Sequence, residues 1–314
     1  MMDTIQGLPT RDAYGKAIVA LGEKNRNVYV VDCDIGKSCK TGEFMQTFPQ
    51  QYVNVGIAEQ NGCGLAAGLA TCGKIPFVTT YAVFGSMRML EQIRQEVCYP
   101  NLNVKIACSH GGFTPANDGA SHQGIEDLGV LRTIPNMTVI APADYHSAYA
   151  LVKAAGADYY GPVYLRFTRD AVPFIYSEDD TFEIGKAKVL SEGSDITIIS
   201  NGDILSRCVA AKDRLVESGI SVRLLDMHTI KPIDREAVLD SIAKTRGIIT
   251  VEDHNIINGL GSAVSEIVAE VGGCRVSRIG IQDQFGESAP YERLLEKNFI
   301  TVDNIVETAM RMLK

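Results

Sequence analysis

One carboxylate and three short polar segments hold most of the side chains in this chain that could do chemistry. The carboxylate is Glu59, in Val53-Asn54-Val55-Gly56-Ile57-Ala58-Glu59-Gln60-Asn61, and a run rich in Gly, Ala and Leu follows it. A charge beside so small and apolar a segment is costly unless a partner or a cofactor meets it. On pattern alone, the simpler reading is preferred: Glu59 suits the positive end of a helix macrodipole. The first polar segment, 32–38, carries Asp32, Asp34, Lys37 and Ser38. The second, 109–124, holds two of the five histidines, His110 and His122, with Asp118 between them and four glycines in the segment. Glycine lets a backbone approach a ligand closely, and two histidines with an aspartate suit substrate binding or proton transfer. A zinc site would need ligand geometry that nothing else in the loop suggests. The third segment, 165–170, carries Arg166 and Arg169. Each alone reads as a surface ion-pair residue. Together with Arg11 and His110 they could form a cationic pocket, because guanidinium groups grip a phosphate in a bidentate manner.

These segments need elements to position them. Short β-rich runs at 28–31, 76–80, 104–108, 137–140 and 163–166 alternate with helical stretches at 85–97 and 145–155. Strands without strict alternation, separated by helices, predict a parallel sheet covered on both faces. The polar acidic stretch 173–185 breaks the pattern and reads as a linker. A second alternating set follows: strands at 196–200, 222–225, 248–251 and 276–279, with helices at 204–218, 261–271 and 302–313. The expectation is two α/β domains in series, with ligands bound beyond the carboxyl ends of the strands. His146, His228 and His254 have no comparable surroundings. The run 251–254 reads as lining a domain contact, and 258–262 as a tight turn between helix and sheet rather than an anion site.

Composition narrows the class. A length of 314 residues suggests about two domains. The net charge of −8 and the lack of a basic aromatic stripe argue against nucleic acid as a partner. No apolar run is long enough to span a bilayer, and the first seven residues lack the basic and apolar regions of a signal peptide. Eight scattered cysteines form no C-x-x-C pair and no zinc spacing. Their apolar surroundings suit free thiols in a reducing cytoplasm.

In their order along the chain, these segments resemble the C-terminal half of the transketolase family, over essentially the whole sequence. Gly56-Ile57-Ala58-Glu59 resembles the family's cofactor-activating glutamate motif. Thr80-Tyr81-Ala82-Val83-Phe84 resembles its aromatic wall for the thiamine aminopyrimidine, and 109–122 keeps its spacing between two histidines. The resemblance implies two doubly wound α/β domains in series: a thiamine-diphosphate pyrimidine-binding domain (1–175), a linker (176–188) and a transketolase C-terminal domain (189–314). It implies thiamine diphosphate as cofactor. A carboxyl hydrogen-bonded to the aminopyrimidine ring nitrogen promotes the imino form that accepts the thiazolium proton. By resemblance Glu59 has this role, and Tyr81 and Phe84 hold the ring by stacking. Met87 stands where many relatives have an aromatic residue in the cofactor pocket, and Asp34 matches an acidic residue close to the cofactor. Arg11, Ser38, His110 and Arg169 match the residues that hold the sugar phosphate. Asp118 matches an aspartate for a sugar hydroxyl, and His122 the histidine near the reacting carbonyl and hydroxyl.

One departure from the family bears on the assembly. The G-D-G…N motif that binds metal and diphosphate is missing, since Asn201-Gly202-Asp203 lies in the second domain without the motif's downstream asparagine. The resemblance therefore implies a split enzyme. A separate subunit, equivalent to the family's N-terminal section, would hold Mg2+ (or Ca2+) and the diphosphate, and no metal ligand is assigned in this chain. A dimer of such pairs is the expected assembly. The reaction implied is transfer of a two-carbon ketol unit between sugar phosphates. The β subunit of a 2-oxo-acid dehydrogenase shares the layout, but the set Arg11, Ser38, His110 and Arg169 argues for a phosphorylated sugar. His110 weighs against a deoxyxylulose-phosphate synthase. Retention of Glu59, His110, Asp118 and His122 weighs against a non-catalytic regulatory homologue.

Overall fold

The computed structural model describes residues 7–314. Met1 to Gln6, most of the segment read above as lacking a signal peptide, lie outside the described residues. Two main sheets organise the rest. In the first, the spatial order is Thr229–Lys231, Thr138–Ile140, Val163–Arg166, Lys105–Ser109, Ile75–Tyr81, Val28–Asp32 and Tyr52–Asn54. All neighbours run parallel except Thr229–Lys231, which pairs antiparallel on the edge strand. The second sheet orders Arg275–Ile281, Gly247–Asn255, Ile196–Ser200, Val222–Asp226 and Lys188–Ser191, with only the last pair antiparallel. Successive strand residues enter different cores, as alternation in a strand requires: Val30 and Val31 in the first sheet, Ile198 and Ile199 in the second. Helices therefore cover both faces, and the architecture is two doubly wound α/β units.

The observed strands Val163–Arg166 and Ile196–Ser200 and the helix Val302–Leu313 coincide with the sequence reading. The stretch 85–97 is helical but not uniform. Two π-helical segments, Phe84–Arg88 and Ile93–Cys98, flank a short α-helical piece. Such widened turns recur at functional sites because they re-aim the side chains they carry. The helix Thr10–Lys24 is absent from the sequence reading. Its glycines interrupt the pattern because the backbone is closely packed: a Cβ on Gly22 would meet Phe48 at 2.7 Å. The strand Thr229–Lys231 was also unread, since its partner Thr138–Ile140 lies far away in sequence. Through it, the C-terminal part of the chain completes the first sheet.

All eight cysteines are free, and six of them are buried. No helix among the described residues is long and apolar enough to cross a membrane.

The two units are joined by buried polar groups. Arg166, 7% exposed, ends its strand with Nε 3.1 Å from Asp127 Oδ2. Its Nη2 donates to Gly124 O at 3.0 Å and to Asp253 O at 2.9 Å. Tyr164 Oη donates to the same Asp127 oxygen at 2.6 Å. Removing one partner from such a pair leaves a buried charge uncompensated. Arg166→Leu should therefore lower unfolding stability by about 3–5 kcal/mol. The double variant Arg166→Leu/Asp127→Leu should recover part of that loss in urea denaturation.

Candidate functional site

The candidate site lies where four adjacent strands of the first sheet end. Asp32, Tyr81, Ser109 and Arg166 are their last residues; Tyr81 pairs with Ser109, Asp32 with Thr79 and Arg166 with Cys108. The sequence-singled loops leave from these ends, as ligand sites on open α/β sheets do. Arg11 enters from the start of the helix Thr10–Lys24. That start is pinned by a reciprocal pair, Thr168 N to Thr10 Oγ1 at 2.7 Å and Thr10 N to Thr168 Oγ1 at 3.3 Å. The pairing sets Arg11 beside the segment that carries Arg169. Arg11 Nη1 then donates to Ser38 O at 3.0 Å.

Glu59 is the first residue of the helix Glu59–Thr71 and is 3% exposed. Gly56 takes φ +75 in the turn before it, a conformation that favours glycine. The small residues behind Glu59 pack closely: a Cβ on Gly62 would lie 3.3 Å from Cys33 Sγ. The nearest cation is Arg88, which sequence reasoning did not single out, with Nη1 3.9 Å from Glu59 Oε2. Its guanidinium also lies over the Phe84 ring, 5.3 Å from the centroid. Arg88 stands four residues after Phe84 in a helical stretch, a spacing that puts two side chains on one face and could have flagged it.

Aromatic contacts connect the remaining groups. The rings of Tyr81 and Phe84 are 6.0 Å apart, His110 lies 4.0 Å from Tyr81, and His122 lies 5.6 Å from Phe84. Met87, in the same helical stretch as Phe84, is 41% exposed, and Ile57, two residues before Glu59, is exposed as well. Arg169 Nη1 donates to Asp118 Oδ2 at 2.8 Å and to Pro115 O at 3.0 Å. Asp34, at φ +67, is exposed and accepts from Asn54 Nδ2 at 2.9 Å, and Asn54 Oδ1 in turn accepts from Gly56 N. Burial pushes the His110 imidazole down to about 3, with the charges of Arg11, Arg169 and His122 adding to the shift. His110 is therefore neutral at pH 7. These groups offer a carboxylate, aromatic faces, a neutral histidine and the guanidiniums of Arg11, Arg88 and Arg169.

Arg166 corrects the sequence reading. It does not join Arg11 and Arg169 in an open cationic pocket, because the guanidinium is buried: its Nη2 donates to two backbone carbonyls and its Nε lies beside Asp127 inside the molecule. The run 251–254 does line the domain contact. Asp253 Oδ2 accepts from Phe113 N at 2.8 Å, and His254 Nε2 accepts from Gly129 N at 3.1 Å. Gly112, at φ +59, sits so close that a Cβ would lie 2.0 Å from Asp253 Oδ2. Gln123 Nε2 donates to Glu287 O and Ser288 Oγ donates to Asn117 O. The second domain thus holds the histidine loop at several points. The helix start at 258–262 is occupied by Glu252, whose carboxylate accepts from Leu260 N and Gly261 N, so it serves packing.

The class follows from this arrangement: two doubly wound α/β units, with acidic, aromatic and basic groups at the strand ends of the first. Residues 6–174 match the family model for the transketolase pyrimidine binding domain, and residues 185–305 that for the transketolase C-terminal domain. A protein of Methanocaldococcus jannaschii described as a transketolase C-terminal section is 44% identical over 307 residues, spanning 97% of this chain and 96% of that one. A 6-deoxy-6-sulfo-D-fructose transketolase subunit of Clostridium sp. is 38% identical, covering 95% of this chain and 92% of that one. A solved split gene transketolase, an inactive beta4 tetramer, superposes with a TM-score of 0.90 at 46% identity, covering 98% of both chains. The chain belongs to the transketolase family.

The domain contact carries a pH signature. Burial, with the neighbouring Asp203 charge adding to it, pushes the Asp253 carboxyl up to about 7, against the opposing effect of Arg166. An acid raised in the fold contributes stability that is present below its unfolded pKa and is lost as pH rises through the folded one. Asp253→Asn removes that dependence. Its melting temperature relative to the unsubstituted protein should therefore rise steadily between pH 4 and pH 7, followed by calorimetry across that range.

Proposed function

We propose that this chain is the pyrimidine-side subunit of a thiamine-diphosphate-dependent transketolase that moves a two-carbon ketol unit between sugar phosphates. The observation that carries this reading is the chain of contacts at the strand ends that links buried Glu59, through Arg88, to the Phe84 and Tyr81 rings and on to His122 and His110, with Arg11 and Arg169 near His110. A carboxylate beside aromatic faces and the apolar edge of Met87 fits an aminopyrimidine ring. When bound, thiamine diphosphate supplies the electron sink for carbon–carbon bond cleavage and formation.

The roles of this chain's own residues then follow. Glu59 would hold the aminopyrimidine by a hydrogen bond, in a site whose burial would strengthen it. Tyr81, Phe84 and Met87 would orient the ring, with Asp34 as an acidic group toward the cofactor. Arg11 and Arg169, with Ser38 and neutral His110, grip the phosphate of the sugar. Asp118 takes a sugar hydroxyl, and its contact with Arg169 couples that position to the phosphate site. His122 moves a proton at the reacting carbonyl and hydroxyl.

A complementary subunit equivalent to the family's N-terminal section supplies the diphosphate contacts and the Mg2+ or Ca2+, and the pairs associate further. Exposed Ile57 and Met87, in the segments that carry Glu59 and Phe84, support a partner covering them. The relative that forms a beta4 tetramer is inactive in that form, which supports a chain that needs a partner.

The purified chain should show no ketol transfer alone. It should gain activity on mixing with a diphosphate-domain subunit, thiamine diphosphate and magnesium, and robust turnover by the chain alone would overturn the reading. In the reconstituted complex, Glu59→Ala should lower kcat by at least about 100-fold, the scale on which positioned acid–base groups act, with an unchanged melting temperature. Near-normal turnover of that variant would remove Glu59 from its role.

A further inference from the structure

We infer that Ser109, backed by Cys39, is a positioning residue: it fixes His110 in the tautomer whose N–H lies at Nε2. Ser109 Oγ lies 2.6 Å from His110 Nδ1, and Cys39 Sγ lies 3.1 Å from Ser109 Oγ on the other side. All three residues are buried. Nε2 has no hydrogen-bond partner among the described residues, so it is the nitrogen left for a ligand.

Each hydrogen in this row has a determinable direction. Hydroxyl donors bond at shorter distances than N–H donors do, and 2.6 Å is short for an N–H donor. Imidazole nitrogen is also a far better acceptor than a thiol, which is weak in both roles. The serine hydrogen therefore goes to Nδ1 rather than to Cys39. The thiol hydrogen has two oxygens to serve, Ser109 Oγ and Thr80 O at 3.7 Å, and the serine is the nearer. Burial pushes the Cys39 thiol up to about 12, so it remains a donor.

A neutral imidazole has only one N–H, and His110 is held neutral by burial and by Arg11, Arg169 and His122. With Nδ1 accepting from Ser109, that N–H is at Nε2 and points a donor at an anionic or hydroxyl oxygen. The reverse tautomer would present a lone pair and repel an anion. The ring has little freedom to correct this by turning: His110 stands at φ +65 and packs 4.0 Å from the Tyr81 ring.

The kinetic consequence rests on the sugar-phosphate reading above, and the spectroscopic one does not. Imidazole 15N spectra of the full histidine-labelled chain, with His110 assigned by His110→Gln, should show N–H at Nε2. In Ser109→Ala the His110 signals should move toward the Nδ1–H form or a mixture, and Ser109→Thr should restore them. An Nδ1–H signal in the unsubstituted chain would overturn the inference. In the reconstituted complex, Ser109→Ala should raise KM for the sugar phosphate about tenfold, the scale of one hydrogen bond. Half-saturation by thiamine diphosphate and kcat should stay within about twofold, and Ser109→Thr should rescue KM. A tautomer change with KM unmoved would support the positioning role and overturn phosphate binding by His110.

Discussion

Arg166 is the constraint on which the arrangement depends. It ends a central strand of the first sheet, so its position is set by backbone pairing, and its guanidinium has nowhere to go but inward. There it meets Asp127, the carbonyl of Gly124 and the carbonyl of Asp253, which belong to a helix, the end of the histidine loop and the second domain. A buried guanidinium must have its donors paired or it destabilises the fold. Satisfying it fixes three otherwise separate pieces of chain relative to one another.

The second domain gains a function from that fixation. Asp253, His254, Glu287 and Ser288 reach across to Phe113, Gly129, Gln123 and Asn117. These contacts surround the two histidines without touching them. A loop with four glycines loses much conformational freedom when it is ordered, and a neighbouring rigid sheet is an effective way to hold it. The same logic runs on a smaller scale inside the loop, where strand-end Ser109 and buried Cys39 hold one face of His110.

The candidate site gathers unlike groups on one side of the first sheet's strand ends. They are a carboxylate, aromatic rings and cationic groups. Arg88 bridges Glu59 and Phe84 with a side chain more than half exposed. An arginine so placed offsets the buried charge of Glu59 while remaining free to move. Ile57 and Met87 are exposed apolar side chains in the same two segments, which suits a covered surface better than an open one.

Much of this was legible in the sequence, because local patterns carry it. Parallel strands buried on both faces read as continuous apolar runs, so 163–166 and 196–200 were found at their true limits. The Glu59 segment and the His110–His122 loop were visible as residue types in unusual surroundings, and the Tyr81–Phe84 pair through the family resemblance. The sequence could not assign Arg166, since an arginine at a strand end reads the same whether it faces a ligand or the interior. Packing against Asp127, Gly124 and the second domain's Asp253 turned it inward, away from Arg11 and Arg169. Nor could it reveal Arg88 beside Glu59, Asp253 beneath Phe113, or the strand Thr229–Lys231 in the first sheet. Sequence by itself determined which elements form and which groups are available for chemistry, because propensity and periodicity act between near neighbours. Tertiary structure alone decided which charges meet, because those partners are brought together across long stretches of chain by packing that leaves no local trace.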